Sequence, residues 1–596
     1  MGTGQQILLF DGDCSFCRIW VEYWRGLTGE RVEYLPFQRA GERFPEISKE
    51  DAARGIVFAD GESRYSSARG VLHLLGDVPG YGWLRDVYEK LPGFAPFVEG
   101  IYRLIASHRN TAYWITRILW GKQIEEPRYR VASRLFLRAL AFIYLIAFVS
   151  FGIQVSGLIG SRGILPIESY LGLLWRGMST TALWRLPTVF WFAHSDSALS
   201  AVCWSGAVLA ILAALLPLYT FAHRLALLVL YVLYLSVSNG GQIFMSYQWD
   251  SLLLEAGFLA IFLKPVLPRV WLFQWLIFRL MFESGAAKLL SNDPTWRGLT
   301  ALSYHYETQP LPTVIGWWVA QAPQAFQKAS TAFALGVEVL VPFLMLGPRR
   351  FKQTAALCTI LLQTLIFLTG NYTFFNLLAM ALTLFLLDDS WWSKWIGKKP
   401  GAAPRENRLV SAALFVLALV LGCAGVAQAF GRAFPSAALE VASGISGFNI
   451  VNQYGLFASM TTSRPEIEIQ GSDDGRIWKP YVFRDKAGPL DRAPRWVQPY
   501  QPRLNWQMWF AALGSYRESE WFSQFVYRLL TASPPVLRLL EQDPFSGRPP
   551  HYVRAELFEY HFTDPATLRL SGRWWKREYK GEYFPAVSLR APDDAR

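Results

Sequence analysis

The chain has 596 residues, of which 52% are hydrophobic and 15% aromatic, with 25 Trp, 26 Tyr and 41 Phe, and its mean hydropathy is +0.19. Soluble globular chains average about 45–50% apolar, so the composition excludes an ordinary soluble protein and points to a membrane class. The net charge of +12 would suit nucleic acid in a soluble chain, but many Lys and Arg stand in short loops between apolar runs, which is a topology signal and not a nucleic-acid footprint.

The first residues, MGTGQQILLFDGDC, hold no basic stretch followed by a long apolar run. A cytosolic N-terminal domain without a cleavable signal peptide is therefore expected. From Ile7 to about Asn110 the pattern is that of a small α/β unit: ILLFDG as a buried strand, a helix from Ser15, then VEYLPFQ and GIVFADG as strands, with helical segments from Ala68 onward. Residues 1–125 are assigned to this domain. Only Cys14 and Cys17 of the five cysteines are close together; Cys203, Cys358 and Cys423 stand singly in apolar runs and read as packing residues.

In D-G-D-C-S-F-C the two thiols lie one helical turn apart directly after an apolar strand. Cys14 then falls at a helix N-terminus, where the dipole favours a thiolate. Such a thiolate attacks disulfides, and a partner three residues on resolves the mixed disulfide. Half a zinc site or an idle pair are the competing readings, although nothing nearby supplies the further ligands a tetrahedral site needs. Asp11, Cys14 and Cys17 match the DxxCxxC pattern of the DCC family of thiol-disulfide oxidoreductases, which resemble thioredoxin. The resemblance covers about the first hundred residues. It implies a thioredoxin-like fold, a cytosolic thiol reductant as partner, Cys14 as nucleophile, Cys17 as resolver and Asp11 as electrostatic support.

After the basic stretch RYRVASR, about nine apolar segments follow between residues 130 and 430, several long enough to cross the ~30 Å of a bilayer. Alternating sides from a cytosolic N-terminus places Arg128, Arg130, Arg134, Arg224, Lys264, Arg269, Arg349, Arg350 and Lys352 inside, with few basic residues opposite. Nine crossings put the final region, 433–596, outside the cytosol. There EIEIQ, the turn SDDG and RIWKPYVF read as a β-hairpin, while AELFEYHF and WWKREYKGEYF suggest further strands. KKPGAAPREN is the clearest linker. The expected architecture is thus a multi-pass α-helical membrane protein with about nine transmembrane helices, a thioredoxin-like α/β domain at its N-terminus and a β-rich soluble domain at its C-terminus.

Two stretches of the core carry more polar residues than a lipid-facing helix tolerates, and intramembrane ionisable groups are functional candidates by default. The first contains Tyr247, Gln248, Trp249, Asp250 and Glu255; the second contains Arg279, Glu283, Lys288, Trp296, His305, Tyr306, Glu307 and Gln309. All except Lys288 are candidate substrate-binding residues, and a polar network that fixes helix packing would use the same types. Arg279 and Glu283, four apart, are expected to pair along one helix face. Lys288 reads either as a side chain snorkelling to the interface or as a partly desolvated catalytic base.

The strings QWDSLLLE, W-R-G-L-T, H-Y-E-T-Q-P-L-P and the later PRLNWQMWFAALG resemble the lipase maturation factor family over most of the chain after about residue 130. That resemblance implies help in the folding or maturation of an extracytosolic client such as a lipase. The N-terminal dithiol domain departs from the animal members of the family, and a bacterial inner membrane is the expected setting. GAAKL followed by a Trp resembles, more remotely, the membrane region of vitamin K-dependent gamma-carboxylase, where a lysine at the matching place is the base. The second reading is therefore a redox-coupled membrane enzyme using a quinone as cofactor with Lys288 as base. The remaining histidines, His73, His108, His194, His223, His551 and His561, have no metal-site spacing, and no G-x-S-x-G elbow marks the chain as a lipase itself.

Overall fold

A computed structural model describes residues 6–40, 55–78, 81–121, 124, 127–396, 413, 415–416, 418–420, 422–423, 425, 427 and 436–589. The linker-like KKPGAAPREN lies outside the described residues. The chain divides into two compact units, one of residues 1–128 with 346–354, the other of residues 129–345 with 355–596.

In the first unit, β1 (Gln6–Phe10), α1 (Ser15–Thr28), β2 (Val32–Pro36), β3 (Val57–Asp60) and β4 (Ser63–Ser66) are followed by α2 (Ser67–Gly76), α3 (Gly82–Lys90), α4 (Phe94–Ser107) and α5 (Arg109–Trp120). The strands form one sheet in the order β2-β1-β3-β4, with β1 parallel to β2 and antiparallel to β3. As the central strand, β1 is covered on both faces. Leu8 and Phe10 pack with Val21, Trp24, Phe58 and Leu74, while Ile7 and Leu9 pack with Ala40, Val57 and Ala59. A continuous apolar run such as ILLF is what a strand buried on both sides requires.

The second unit is mainly helical. Among the described residues, five helical stretches are long and apolar enough to cross a membrane: Arg130–Gly152, Asp196–Leu215, Phe221–Gly240, Gln324–Met345 and Arg349–Thr369. We label the helices used below α6 (Arg130–Gly152), α7 (Asp196–Leu215), α8 (Phe221–Gly240), α9 (Gln248–Ile261), α10 (Leu267–Leu290), α11 (Ala301–Thr308), α12 (Gln324–Val339, continued by Val341–Met345), α13 (Arg349–Thr369) and α14 (Phe375–Thr383). Nine spans were expected. The difference lies in α9 and α14, which are short, in α10, whose 24 residues carry Arg269, Arg279, Glu283 and Lys288, and in the segment from about residue 408, which is only partly described.

Large apolar side chains stand exposed along the spans, among them Phe142 on α6, Val208 and Leu212 on α7, Leu225 and Val232 on α8, and Leu357 and Leu361 on α13. In water such surface would be a liability; in hydrocarbon it is the expected outer face. Small residues set the closest helix approaches, as membrane bundles require. A Cβ at Gly206 would stand 2.5 Å from the Phe148 ring, and one at Gly257 would meet the Tyr144 hydroxyl at 1.9 Å. Deeper in the core, Phe136, Phe273 and Phe385 form a three-ring cluster with centroids 4.5–5.0 Å apart.

The C-terminal region belongs to the same compact unit as the helices. Its main sheet has the order β10-β9-β5-β6, with β5 (Pro465–Ser472), β6 (Lys479–Pro480), β9 (Tyr552–Phe562) and β10 (Trp575–Val587); β7 (Val482–Phe483) pairs separately with β8 (Leu540–Gln542). The expected hairpin is present as β5–β6. Its turn is built on Asp474, whose Oδ1 accepts the N–H groups of Arg476 and Ile477 at 2.8 Å. Those bonds, with the Ser472 hydroxyl, hold the Asp474 carboxyl down at about 2.

Replacing Gly206 by leucine should force Phe148 from its rotamer. We expect a loss of roughly 1–3 kcal/mol, seen as a lowered midpoint in thermal unfolding of the detergent-solubilised chain, whereas Gly172→Leu, where an added Cβ meets nothing within 4 Å, should leave the midpoint unchanged.

Candidate functional site

The sequence directs attention to two places, one in each unit. In the first unit Cys14 ends the β1–α1 turn and caps α1, its Sγ accepting the N–H of Cys17 at 3.3 Å. Both cysteines are free thiols. Cys17 lies one turn into the helix and lines a small cavity with Trp20, Trp24, Tyr102 and Ile105. Burial, followed by the contact with Cys14, pushes the Cys17 thiol far above its ordinary range. The pair is therefore asymmetric: Cys14 sits at the positive end of a helix dipole, and Cys17 is held protonated behind it.

Asp11 lines the same cavity. Its Oδ1 accepts the Gln38 amide at 2.8 Å and the N–H of Asp13 at 3.1 Å, and its Oδ2 meets the Arg109 guanidinium at 3.2 Å. Gln38 and Arg109 had no sequence signal, because they reach Asp11 from 27 and 98 residues away. The wall beside Cys17 is completed by Gly55 and Ile56, immediately before β3. The N–H of Ile56 donates to the Tyr102 hydroxyl at 2.9 Å.

In the second unit, the polar residues of both core stretches converge on one irregular piece of backbone, residues 449–460. A peptide that leaves regular secondary structure among apolar helices needs partners for its N–H and C=O groups, and the charged side chains supply them. Glu255 accepts the N–H of Asn452 at 2.9 Å and the Tyr454 hydroxyl at 2.8 Å. Arg279 donates to the Asn452 carbonyl at 2.9 Å and forms an ion pair with Glu255. Glu283 accepts the N–H of Tyr454 at 2.8 Å, and Gln248 accepts that of Gly455 at 3.1 Å. Lys288 donates to Leu456 O at 2.9 Å, Trp296 to Phe457 O at 3.0 Å, and Asp293 accepts the N–H of Met460 at 2.7 Å.

The expected Arg279–Glu283 pair is thus corrected. Arg279 turns across to Glu255 on α9, while Glu283 is engaged by the Tyr454 backbone. Helical spacing made the Arg279–Glu283 contact available, but a buried guanidinium is better satisfied by a carboxylate and a carbonyl approaching from other segments. Lys288 is buried and pairs with Glu338 on α12 at 2.8 Å.

The other candidates join the helical core to the C-terminal region. Asp250 is fully buried and takes both guanidinium nitrogens of Arg503, at 2.5 and 2.9 Å, together with the Tyr234 hydroxyl at 2.6 Å. Tyr247 stacks on Trp249, with centroids 4.5 Å apart and planes 7° from parallel. Their polar tips bind Gln507 and Gln501. Glu307 receives the His561 imidazole at 3.0 Å and the N–H of Phe562 at 2.7 Å. The carbonyls of Glu307, Gln309 and Pro310 surround the buried Arg464 guanidinium. Gln309 accepts the Tyr372 hydroxyl at 3.0 Å, and Tyr372 also meets His305 at 3.2 Å. Burial, then the nearby Lys288 charge, pulls the His305 imidazole down to about 4. Tyr306 is buried against Trp317 and Trp575.

Arg503, Arg464, Asn452, Tyr454, Glu338 and Asn371 escaped the sequence reading. Asn371 ties Leu311, Arg495 and Val497 together through its amide. A buried asparagine of this kind has no periodicity to betray it. Arg503, by contrast, stands inside the string PRLNWQMWFAALG, and a charge beside so many aromatics was the available clue.

Fold and sites together define a multi-pass membrane protein in which a dithiol domain precedes a helical core locked to a β-rich C-terminal region. Models of the lipase maturation factor transmembrane domain match residues 131–394, of the lipase maturation factor C-terminal domain residues 450–585, and of the DCC1-like thiol-disulfide oxidoreductase residues 8–114. Lipase maturation factor 2 of Gallus gallus is 35% identical over 79% of this chain and 83% of its own length. The Homo sapiens protein of that name is 34% identical over 78% and 83%, and lipase maturation factor 1 of Bos taurus is 34% identical over 80% and 90%. The chain belongs to the lipase maturation factor family. No solved structure matches it. Because these relatives are animal proteins, the expected bacterial inner membrane is corrected to an integral-membrane setting alone.

Two measurements address these sites. Alkylation of the native chain at neutral pH should modify Cys14 at least ~10-fold faster than Cys17, since thiolate supply governs the rate; peptide mass spectrometry reads the ratio, and modification of Cys17 should keep rising with pH into the alkaline range. Asp250→Asn should destabilise the solubilised chain by about 3–5 kcal/mol, because it leaves Arg503 buried without its counter-charge. The double variant Asp250→Leu/Arg503→Met should recover part of that loss in the same thermal assay.

Proposed function

We propose that this chain promotes maturation of a lipase-type client on the side of the membrane away from its dithiol domain, with the C-terminal sheet as the client surface. The observation that carries the reading is that the C-terminal region is locked to the helical core through Asp250–Arg503, Glu307–Phe562 and the Arg464 carbonyl cage, so a client bound there engages a rigid platform. β10 is the outermost strand of the sheet, and residues 576–580 on it are exposed. An unpaired strand edge can add an extended segment of a folding client. The charges of Lys576, Glu578 and Lys580 discourage indiscriminate pairing.

The path of the chain supports this sidedness. Helix α6 begins directly after the dithiol domain, and near its other end Ser150 and Gln154 hydrogen-bond to Gln501 and Arg503. Basic residues Arg349, Arg350 and Lys352 at the start of α13 favour the cytosolic side for that end, while Asn371, just past the other end, binds Arg495 and Val497. With α9, α10, α14 and the segment from about residue 408 counted as crossings, nine passes separate the two soluble regions.

On the cytosolic side Cys14 and Cys17 exchange with a small or protein disulfide. The Cys14 thiolate attacks one sulfur and forms a mixed disulfide, releasing the other as a thiolate. Cys17 then loses its proton, displaces the second sulfur and closes the Cys14–Cys17 disulfide. The partner has gained two electrons, with one proton from Cys17 and one from the water that took the Cys14 proton, and a cytosolic thiol reductant restores the dithiol.

Reporter fusions at Gly121 and after residue 589 should report opposite sides of the membrane; the same side from both would sink the nine-pass reading. Co-expression of the full chain with a secreted lipase should raise secreted lipase activity, and Lys576→Glu/Lys580→Glu should abolish the gain at unchanged chain abundance. An unchanged gain in that variant would remove β10 as the client surface.

A further inference from the structure

The helical core encloses a cavity of about 530 Å³ bounded by α10, α11, α12 and α13 and by residues 456–460. Its size is that of a ligand site, and its lining has the expected character, mostly apolar with a few convergent polar groups. Leu280, Leu302, Ala334, Leu362, Ile366 and Phe457 make the greasy wall. Phe326 and Phe333 on α12 and Leu365 on α13 line it while remaining exposed. These residues lie on two of the helices apolar enough to span the bilayer, so a mouth between them would face hydrocarbon.

The polar groups determine what can enter. Lys288 donates to Leu456 O at 2.9 Å and to Ser284 O at 3.4 Å, and forms an ion pair with Glu338 Oε2 at 2.8 Å. The Trp296 ring covers the same ammonium at 5.3 Å. Lys288 and Glu338 therefore cancel each other, and no cationic donor is left to receive an anionic head. His305 and Tyr372 form a second, mutually bonded pair at 3.2 Å. The carboxylate of Glu338 and the hydroxyl of Ser330, both on the cavity wall, can still exchange hydrogen bonds with a hydroxyl or carbonyl group.

We propose that this cavity is a binding site for an uncharged long-chain amphiphile drawn laterally from the bilayer, its hydroxyl- and carbonyl-bearing head held at Glu338 and Ser330 and its chain lying between α12 and α13. An acid would bring an unpaired charge into an apolar site, which is strongly unfavourable. A neutral acylglycerol meets every constraint.

The test uses the full chain in nanodiscs with a monoacylglycerol carrying a photoreactive diazirine in its acyl chain, with labelled residues mapped by peptide mass spectrometry. Labelling is expected on cavity residues of α12 and α13, competed by unlabelled monoacylglycerol but not by a free fatty acid of equal chain length. Ala334→Trp, which fills the cavity, should reduce cavity labelling roughly tenfold. Leu361→Trp, on the exposed face of α13 outside the cavity, should leave it unchanged, which also controls for folding. Equal labelling in wild type and Ala334→Trp would mean annular lipid only and overturn the proposal. Stronger competition by the fatty acid would overturn the assignment of an uncharged head.

Discussion

The second unit depends on one constraint: the backbone of residues 449–460 runs irregularly beside the helices, and its buried N–H and C=O groups need partners. In a hydrocarbon-facing protein an unanswered peptide group costs several kcal/mol. Glu255, Arg279, Glu283, Lys288, Trp296 and Asp293 answer this one. Charges that would be intolerable on α9 and α10 alone become necessary once this segment lies beside them. The segment in turn neutralises those charges, so neither half of the arrangement is stable without the other.

From that junction the rest of the unit follows. Asp250 and Arg503, each fully buried, are mutually required in the same sense, as are the carbonyls of residues 307–310 and Arg464. The core and the C-terminal region thus share one polar network inside an apolar shell. Low local dielectric strengthens such a network when it is complete and penalises any gap in it. Close helix contacts at Gly206 and Gly257 belong to the same design, because they bring α6 near enough to α7 and α9 for the network to be sealed from lipid.

Much of this was legible in the sequence. The apolar runs identified the helical core, the alternation of ILLF and EIEIQ identified strands, and D-G-D-C-S-F-C placed one thiol at a helix start and the other a turn inside. Asp250, Glu255, Arg279 and Lys288, singled out as too polar for lipid, are all buried. Their partners were not legible. A carboxylate's spacing along a helix suggests a neighbour four residues away, but Arg279 found Glu255 from another helix and Asn452 from 173 residues further on. Backbone groups are invisible in a sequence because every residue has them, and most of these side chains bind backbone. The apolar segments read at α9 and α14 are helices, but shorter than the five stretches long enough to cross a membrane.

The separation in sequence has a consequence during synthesis. Glu283 waits for Tyr454, 171 residues later, and Asp250 waits for Arg503, 253 residues later. At about 5–20 residues per second of elongation, each carboxylate spends on the order of ten seconds or more in a nascent helix without its final partner. Insertion of α9 and α10 must therefore proceed with their charges hydrated or provisionally paired. The polar network of the core is complete only when the last part of the chain arrives, so a ribosome that stops before residue 503 leaves behind helices whose buried charges lack their partners.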